Sequence, residues 1–323
     1  MGPSAIRERD ARGMEAAMKA ARIHSFGGSE KVRVETVPLP RMRKNTALVR
    51  VRAAAVNPVD WAIREKIYNP KGADKLPLTL GQDFAGVIEA IAPGSRTSFR
   101  KGDSVFGETW GSFAEYAVVP LKDLVRKPRS LSFVVSASIP MPALTAWQMV
   151  IDTAKASPRK TFLIHGASGG VGSFAAQFAK SKGAHVIATA SKPSFRYLER
   201  IGVDVIVDYK KERFEKKVAG VDVVIDPIGG ATQRRSWGVL KKGGMLINLI
   251  GEIDRAAARK AGVRAVEFGM RYDTRDLEEI ARLVERKVVR PHISRILPLG
   301  QVRRALDLNE KGRSHGKIVL DLT

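Results

Sequence analysis

The segment with the most evident chemical capacity is Ile164-His165-Gly166-Ala167-Ser168-Gly169-Gly170-Val171-Gly172-Ser173, a glycine-rich turn between a short apolar run and a helix-like stretch. Glycines in such a turn let the backbone approach a pyrophosphate, and the N-terminus of the following helix offers free N–H groups. Read strictly, the spacing is Ala167-x-Gly169-x-x-Gly172, with alanine at the usual first glycine of a dinucleotide fingerprint. The same residues contain Gly166-Ala-Ser168-Gly-Gly170, the G-x-S-x-G spacing of a hydrolase nucleophile elbow, and Asp226 and His292 follow in the order an acid and a base would need. Against that reading, no HGGG-type oxyanion loop precedes the turn, and a β-rich region stands where early α/β units belong. A P-loop is excluded because no Gly-Lys-Ser/Thr closes the turn.

Cofactor choice is written at the end of the next apolar run. Enzymes that use NAD place an acid there for the ribose hydroxyls, whereas a 2′-phosphate needs that acid absent and cations nearby. Here the run ends Ala188-Thr189-Ala190-Ser191-Lys192, with Arg196 one helical turn further on. One hydroxyl and two cations without a carboxylate point to NADP(H); the plainer reading is a set of surface basic residues at a helix start.

The elements that must position these groups follow two grammars. Residues 21–128 run in short β-like stretches broken by Asn57-Pro58, Pro93-Gly94 and Gly102-Asp103, as in a barrel or irregular β domain. From residue 160 the pattern alternates: strands at 160–164, 184–188, 203–207, 221–225 and 244–250, with helices between them and another near 276–285. Continuous Val/Ile/Leu runs mark parallel strands covered on both faces, hence a doubly wound α/β sheet. The tail at residues 317–322 reads as a strand that could rejoin either region.

Composition narrows the classes of function. With 323 residues, 44% apolar and 28% charged, the chain can bury a sizeable core and is globular. It has no cysteine, which removes disulfides, thiol nucleophiles, Cys-ligated zinc and iron–sulfur clusters. The uncharged residues 131–151 have the length of a membrane span but carry Pro140, Pro142 and several hydroxyls, so a buried inter-domain segment is the better reading. Residues 1–17 mix Arg7, Arg9 and Arg12 with Glu8, Asp10 and Glu15 ahead of a second possible start at Met18, unlike a secretory or transit signal, and a soluble cytoplasmic protein is expected. The net charge of +23 would attract polyanions, yet the basic residues are interleaved with acids and no nucleic-acid motif accompanies them.

Many ordered motifs then resemble one family, the medium-chain dehydrogenases/reductases, in their zinc-free quinone oxidoreductase (zeta-crystallin-like) branch. They include Ala55-Val-Asn57-Pro58-Val-Asp60, Gly81-Gln-Asp83-Phe-Ala85-Gly86, Lys101-Gly-Asp103, Gly111-Ser-Phe-Ala114-Glu115-Tyr116, Leu144-Thr145-Ala146, the glycine turn, Asp226-Pro-Ile-Gly229-Gly230 and Gly316-Lys-Ile-Val-Leu320. The resemblance implies a GroES-like β-barrel catalytic domain at residues 18–148 and 289–323, interrupted by a Rossmann NADP-binding domain at 149–288, with the active site in the cleft and residues 1–17 as an extension. The positions of the family's catalytic zinc ligands align with Asn57, Gln82 and Met141, a donor set unsuited to zinc. The five histidines (24, 165, 185, 292, 315) show no metal-binding spacing, so no metal is expected.

Lacking a Lewis acid, such an enzyme needs an intrinsically electrophilic substrate, a quinone or an α,β-unsaturated carbonyl, reduced by hydride from NADPH. The resemblance places Asn57 and Thr145 near the nicotinamide end, and makes Tyr68 a candidate for substrate contact or proton relay. It assigns Ala167, Ser168, Gly169, Gly170, Val171 and Gly172 to the pyrophosphate turn and Ser191, Lys192, Arg196 and Tyr209 to the 2′-phosphate. Leu249, Ile250 and Gly251 would line the nicotinamide side. Each has a plainer reading: a turn-forming asparagine, a self-bonded helix threonine, a loop or strand-end tyrosine, or sheet core. An enoyl-thioester reductase and a low-turnover nucleotide- or nucleic-acid-binding protein are alternatives on the same fold. The family also implies a homodimer through an edge strand, for which residues 244–250 or 266–268 could serve.

Overall fold

The computed structural model describes residues 16–70 and 73–323. The expected extension at residues 1–17 lies outside them except for its last two, and Ala17 already opens the first strand. The β-like stretches become β1 (Ala17–Ile23), β2 (Val32–Pro38), β3 (Thr46–Val56), β4 (Leu78–Thr79), β5 (Asp83–Ile91), β6 (Ser104–Glu108), β7 (Tyr116–Pro120) and β8 (Leu124–Arg126). A short helix, α1 (Pro58–Arg64), follows β3, started by Asn57 with proline at its first position. The uncharged segment folds into α2 (Phe133–Ala137) and α3 (Pro140–Trp147), which runs on into a wide π-type turn at Gln148–Thr153. Among the described residues no helix is long and apolar enough to cross a membrane.

The alternating half supplies β9 (Thr161–Ile164), α4 (Gly170–Ser181), β10 (His185–Ala190), α5 (Phe195–Arg200), β11 (Val205–Asp208), β12 (Val221–Asp226), α6 (Gly230–Ser236), β13 (Leu240–Asn248), α7 (Arg255–Ala261), β14 (Arg264–Glu267) and α8 (Thr274–Glu285). The chain ends with β15 (Ile293–Pro298), α9 (Val302–Glu310) and β16 (Lys317–Asp321).

Two compact units result. One comprises residues up to Met141 with Asp273–Ala281 and Ile293–Thr323; the other comprises Pro142–Tyr272 and Arg282–His292. In the first, a three-stranded sheet (β2-β1-β4) accompanies a sheet of order β15-β16-β3-β5-β6-β8, with β7 also paired to β3. Its core gathers Val49, Val51, Phe84, Ile88, Phe113 and Leu320. The tail strand, whose destination the sequence left open, belongs here: β16 lies antiparallel to β3, with Ile318 opposite Val56.

The second unit holds one six-stranded parallel sheet, ordered β11-β10-β9-β12-β13-β14. Phe162, Leu163, Ile164, Val224, Ile225, Leu246 and Ile247 are fully buried in it, as expected for strands covered on both faces. Strand order reverses between β9 and β12, the switch point where such sheets bind ligands. One expectation is corrected. Residues 244–250 cannot be an edge strand, because β13 is hydrogen-bonded to β12 on one side and β14 on the other. That edge of the sheet is β14, which contains Val266.

Candidate active site

The glycine turn leaves β9 at the carboxyl end of the sheet, and its geometry explains the alanine in the fingerprint. The left-handed residue is Gly166, at φ +57°, one position ahead of Ala167. Its carbonyl accepts the Gly169 N–H at 2.9 Å. Ala167 is fully buried and donates its N–H to Thr189 O, 3.2 Å away on β10, so it has no need of glycine's freedom. Gly172 does need to be glycine: a Cβ there would lie 2.4 Å from Gly166 O and 2.8 Å from Ala167 Cα. The first bond entering α4 runs from Ser173 N–H to Gly169 O at 3.0 Å. The amides of Gly170, Val171 and Gly172 therefore open the helix with no carbonyl of its own to bond, which fits a pyrophosphate.

The other residues assigned to the cofactor in this unit sit mostly on the same end of the sheet. Ser191 is buried directly after β10, whereas Lys192 and Arg196 are exposed. Tyr209 follows β11, donates its N–H to Ala190 O at 3.3 Å and leaves its side chain 55% exposed. Ser191, Lys192 and Tyr209 are thus collected at the ends of two paired strands, with Arg196 in the helix that starts there. Beyond the switch point, Leu249 N–H bonds Asp226 O at 3.0 Å. Asn248, buried at the end of β13, donates Nδ2 to Ile250 O and Gly251 O at 3.0 and 2.9 Å. Ile250 is exposed, so sheet core does not describe it. Thr145 is buried within α3.

Of the residues the hydrolase alternative would need, Asp226 accepts the N–H groups of Ile228 and Gly229 at 3.0 and 2.9 Å, both on Oδ1, and His292 stacks on Tyr197 with ring centroids 3.7 Å apart.

In the first unit, Asn57 and Tyr68 are placed very differently. Tyr68 lies on the loop after α1 with its side chain 53% exposed. Asn57 is buried and tied into a polar network. Its Nδ2 donates to Asp83 Oδ2 at 2.8 Å, and its Oδ1 accepts from Lys317 Nζ at 2.6 Å. Lys317 also donates to Val56 O at 2.8 Å and stands 4.0 Å from Asp83 Oδ2. Asp83 Oδ1 accepts Met141 N–H, and Asp60 Oδ2 accepts Asn57 N–H at 2.7 Å, completing a capping box for α1. Burial dominates the acidities. It pushes Asp60 up to about 7 and Asp83 up to about 6, the latter against the pull of Lys317, and raises Glu108 well above the usual carboxylate range. The Lys317 ammonium is lowered by burial, with Asp83 and Asp60 opposing. Among the described residues no cluster of three or more His, Asp or Glu side chains could hold a metal.

Two residues of consequence were not singled out from sequence. In the sequence Lys317 is one residue of a tail motif, and His165 is one of five unclustered histidines, next to the glycine turn. Each makes side-chain bonds to residues distant in the chain, Asn57 for Lys317 and Thr189 and Ser236 for His165, which no local pattern encodes.

Comparison with known proteins agrees with this architecture. Residues 43–129 match the alcohol dehydrogenase GroES-like domain, and residues 201–320 match a family described as zinc-binding dehydrogenase. The mitochondrial NAD(P)H oxidoreductase RTN4IP1 of Mus musculus is 30% identical, over 94% of this chain and 89% of its own. The structure of the quinone oxidoreductase from Coxiella burnetii superposes with a TM-score of 0.90 at 31% identity, covering 95% of this chain and all of the other. A mycobacterial protein complexed with NADPH gives a TM-score of 0.87 at 25% identity, covering 94% of this chain and 100% of that one. The chain belongs to the medium-chain dehydrogenase/reductase superfamily, in its quinone oxidoreductase branch. It is an enzyme of the oxidoreductase class, with a GroES-like domain and a Rossmann-type sheet.

Proposed function

We propose that the protein is an NADPH-dependent, zinc-independent reductase of quinones or α,β-unsaturated carbonyls. The observation that carries the reading is the glycine turn: a close approach that only Gly172 permits, three amides opening α4, and a β10 end bearing Ser191 and Lys192 instead of an acid. When bound, NADPH supplies a hydride. The amides of residues 170–172 hold its pyrophosphate, while Ser191, Lys192 and Arg196, with Tyr209 beside them, hold the 2′-phosphate. Leu249, Ile250 and Gly251 are assigned to the nicotinamide side and Thr145 to the same cofactor.

The Asn57 amide is held rigidly: its Nδ2 hydrogens face oxygens of Asp83 and, at 3.4 Å, of Ala55, and its Oδ1 accepts from Lys317. Tyr68 is assigned to substrate contact or to delivery of the proton that follows hydride.

Zinc independence rests on chemistry. The amide of Asn57, the amide of Gln82 and the thioether of Met141 are poor zinc ligands, and the Lys317 ammonium already places a cation against Asn57. A homodimer through the β14 edge completes the reading. The test is NADPH consumption with a benzoquinone and with a conjugated enone, in chelator, repeated with NADH. Turnover that resists chelator and prefers NADPH is expected; failure to bind either nucleotide overturns the assignment.

A further inference from the structure

His165, directly after β9, is buried between two hydroxyls: Nδ1 lies 3.1 Å from Thr189 Oγ1 and Nε2 lies 2.9 Å from Ser236 Oγ. The partners decide where its proton sits. Ser236 Oγ gives its single hydrogen to Thr232 O at 2.8 Å, a carbonyl that can only accept. The Ser236 oxygen must then receive a hydrogen from the ring, so Nε2 carries it. Nδ1 of the neutral imidazole accepts from the Thr189 hydroxyl, which fixes the hydroxyl's rotor, and the Thr189 oxygen accepts the Gly166 N–H at 3.3 Å. Donors thus run one way, from Gly166 through Thr189, His165 and Ser236 to Thr232, and each bond polarises the next. Phe214 packs against the ring at 4.6 Å between centroids, with the Arg235 guanidinium 5.0 Å from the Phe214 centroid. Burial, and secondarily the Arg235 charge, push the imidazole pKa down to about 3, in keeping with a ring that stays neutral.

We propose that His165, fixed as the neutral Nε2–H tautomer, is a positioning residue for dinucleotide binding, acting through Thr189 on Gly166. This rests on the glycine turn being the dinucleotide site. Gly166 is the pivot of that turn: left-handed, its carbonyl holding Gly169 N–H and lying against Gly172. Turning its N–H away from Thr189 would re-aim the amides of Gly170, Val171 and Gly172. A protonated imidazole would set an Nδ1–H against the Thr189 O–H and turn that hydrogen out of the chain, so the hydroxyl would no longer be fixed against Gly166. The role belongs to binding, so losses should fall on cofactor affinity and leave the reaction of the bound complex alone.

The test is NADPH titration and steady-state kinetics on wild type, Thr189→Val, His165→Gln, His165→Asn and the Thr189→Val/His165→Gln pair. Thr189→Val removes the hydroxyl and keeps the shape. Gln carries its amide toward Ser236 and away from Thr189, whereas Asn can still accept from Thr189. Expected are Kd and KM for NADPH raised about five- to tenfold in Thr189→Val and His165→Gln, no further loss in the pair, and partial recovery in His165→Asn. The kcat at saturating NADPH stays within about twofold of wild type, on the view that lost binding is uniform. Wild-type Kd in the Thr189→Val and His165→Gln proteins, additive losses in the pair, or an equal fall in kcat would overturn the positioning role; Thr189→Val alone decides it should the His165 variants fail to fold. The tautomer is read separately from imidazole 15N shifts between pH 5 and 8, where an Nδ1–H form or a midpoint in that range overturns it. A wild-type protein that binds no NADPH refutes the dinucleotide reading itself, a result distinct from all of these.

Discussion

Lys317 Nζ and Asn57 Oδ1 lie 2.6 Å apart although 260 residues separate them in the chain. The ammonium is the cationic partner of Asp83 and the donor that orients the Asn57 amide. Removing one member of a buried charged pair leaves the other uncompensated, which costs about 3–5 kcal/mol. Lys317→Met is therefore expected to lower unfolding free energy by roughly 3 kcal/mol in a denaturant titration. Lys317→Arg, a wider group without space for its fork, should not restore it.

The same network sets a pH dependence. Asp60 is raised from its ordinary value of 3.8 to about 7 by burial. Its folded pKa exceeds the unfolded one, so its contribution is complete below pH 4 and is lost as pH rises through 7. Asp60→Asn keeps an acceptor for the Asn57 N–H and cannot ionise. Between about pH 4 and 7 wild type should lose stability relative to this variant, with a slope no steeper than about 1.4 kcal/mol per pH unit. Paired denaturant titrations at four pH values would reveal a flat difference if Asp60 were unperturbed.

Gly172→Ala forces a Cβ to 2.4 Å from Gly166 O, so either the turn or α4 must move. Overpacking of this kind costs about 1–3 kcal/mol, and NADPH affinity should fall at least tenfold, on the order of the 1.4 kcal/mol that such a factor represents. Thermal melting and NADPH fluorescence titration would check both; undiminished affinity would disconnect the turn from the cofactor.

Lys192→Ala combined with Arg196→Ala should raise KM for NADPH about tenfold or more while leaving NADH kinetics unchanged, because charge-assisted bonds to phosphate are lost. Both side chains are exposed, so the penalty should shrink as salt is added. Parallel losses with both nucleotides would place these residues away from the 2′-phosphate.

Tyr68→Phe tests the proton. Enolates are more basic than hydroquinone anions, so reduction of an enone depends more on a positioned acid. The variant should lose about tenfold or more in kcat with an enone and little with a benzoquinone. Equal effects on both acceptors would assign Tyr68 to substrate packing.

Much of this was legible in the sequence for physical reasons. Parallel strands buried on both faces give unbroken runs such as Val221-Asp-Val-Val-Ile225, and a turn against pyrophosphate demands glycine. Lateral order within the sheet was not legible, because β13 reads as an apolar strand whether it is interior or at an edge; only its pairing with both β12 and β14 decides. Which residue turns the chain was not legible either: positive φ falls on Gly166, one position before the fingerprint alanine. His165 and Lys317 escaped because a lone histidine or lysine carries no periodicity, and their partners arrive only through folding.

The position of β16 bears on how the molecule is made. Its pairing with β3 joins residues 318–321 to a strand that begins at Thr46. A nascent chain on the ribosome can finish the parallel sheet from a nearly continuous stretch, but residues 53–56 of β3 have to wait for this partner until the whole parallel sheet has been translated. Such a long-delayed pairing is slow to form and leaves strand edges open to wrong partners. Loss of β16 would do more than remove a strand. It would withhold the cation from Asn57 and Asp83 and leave residues 53–56 without their partner.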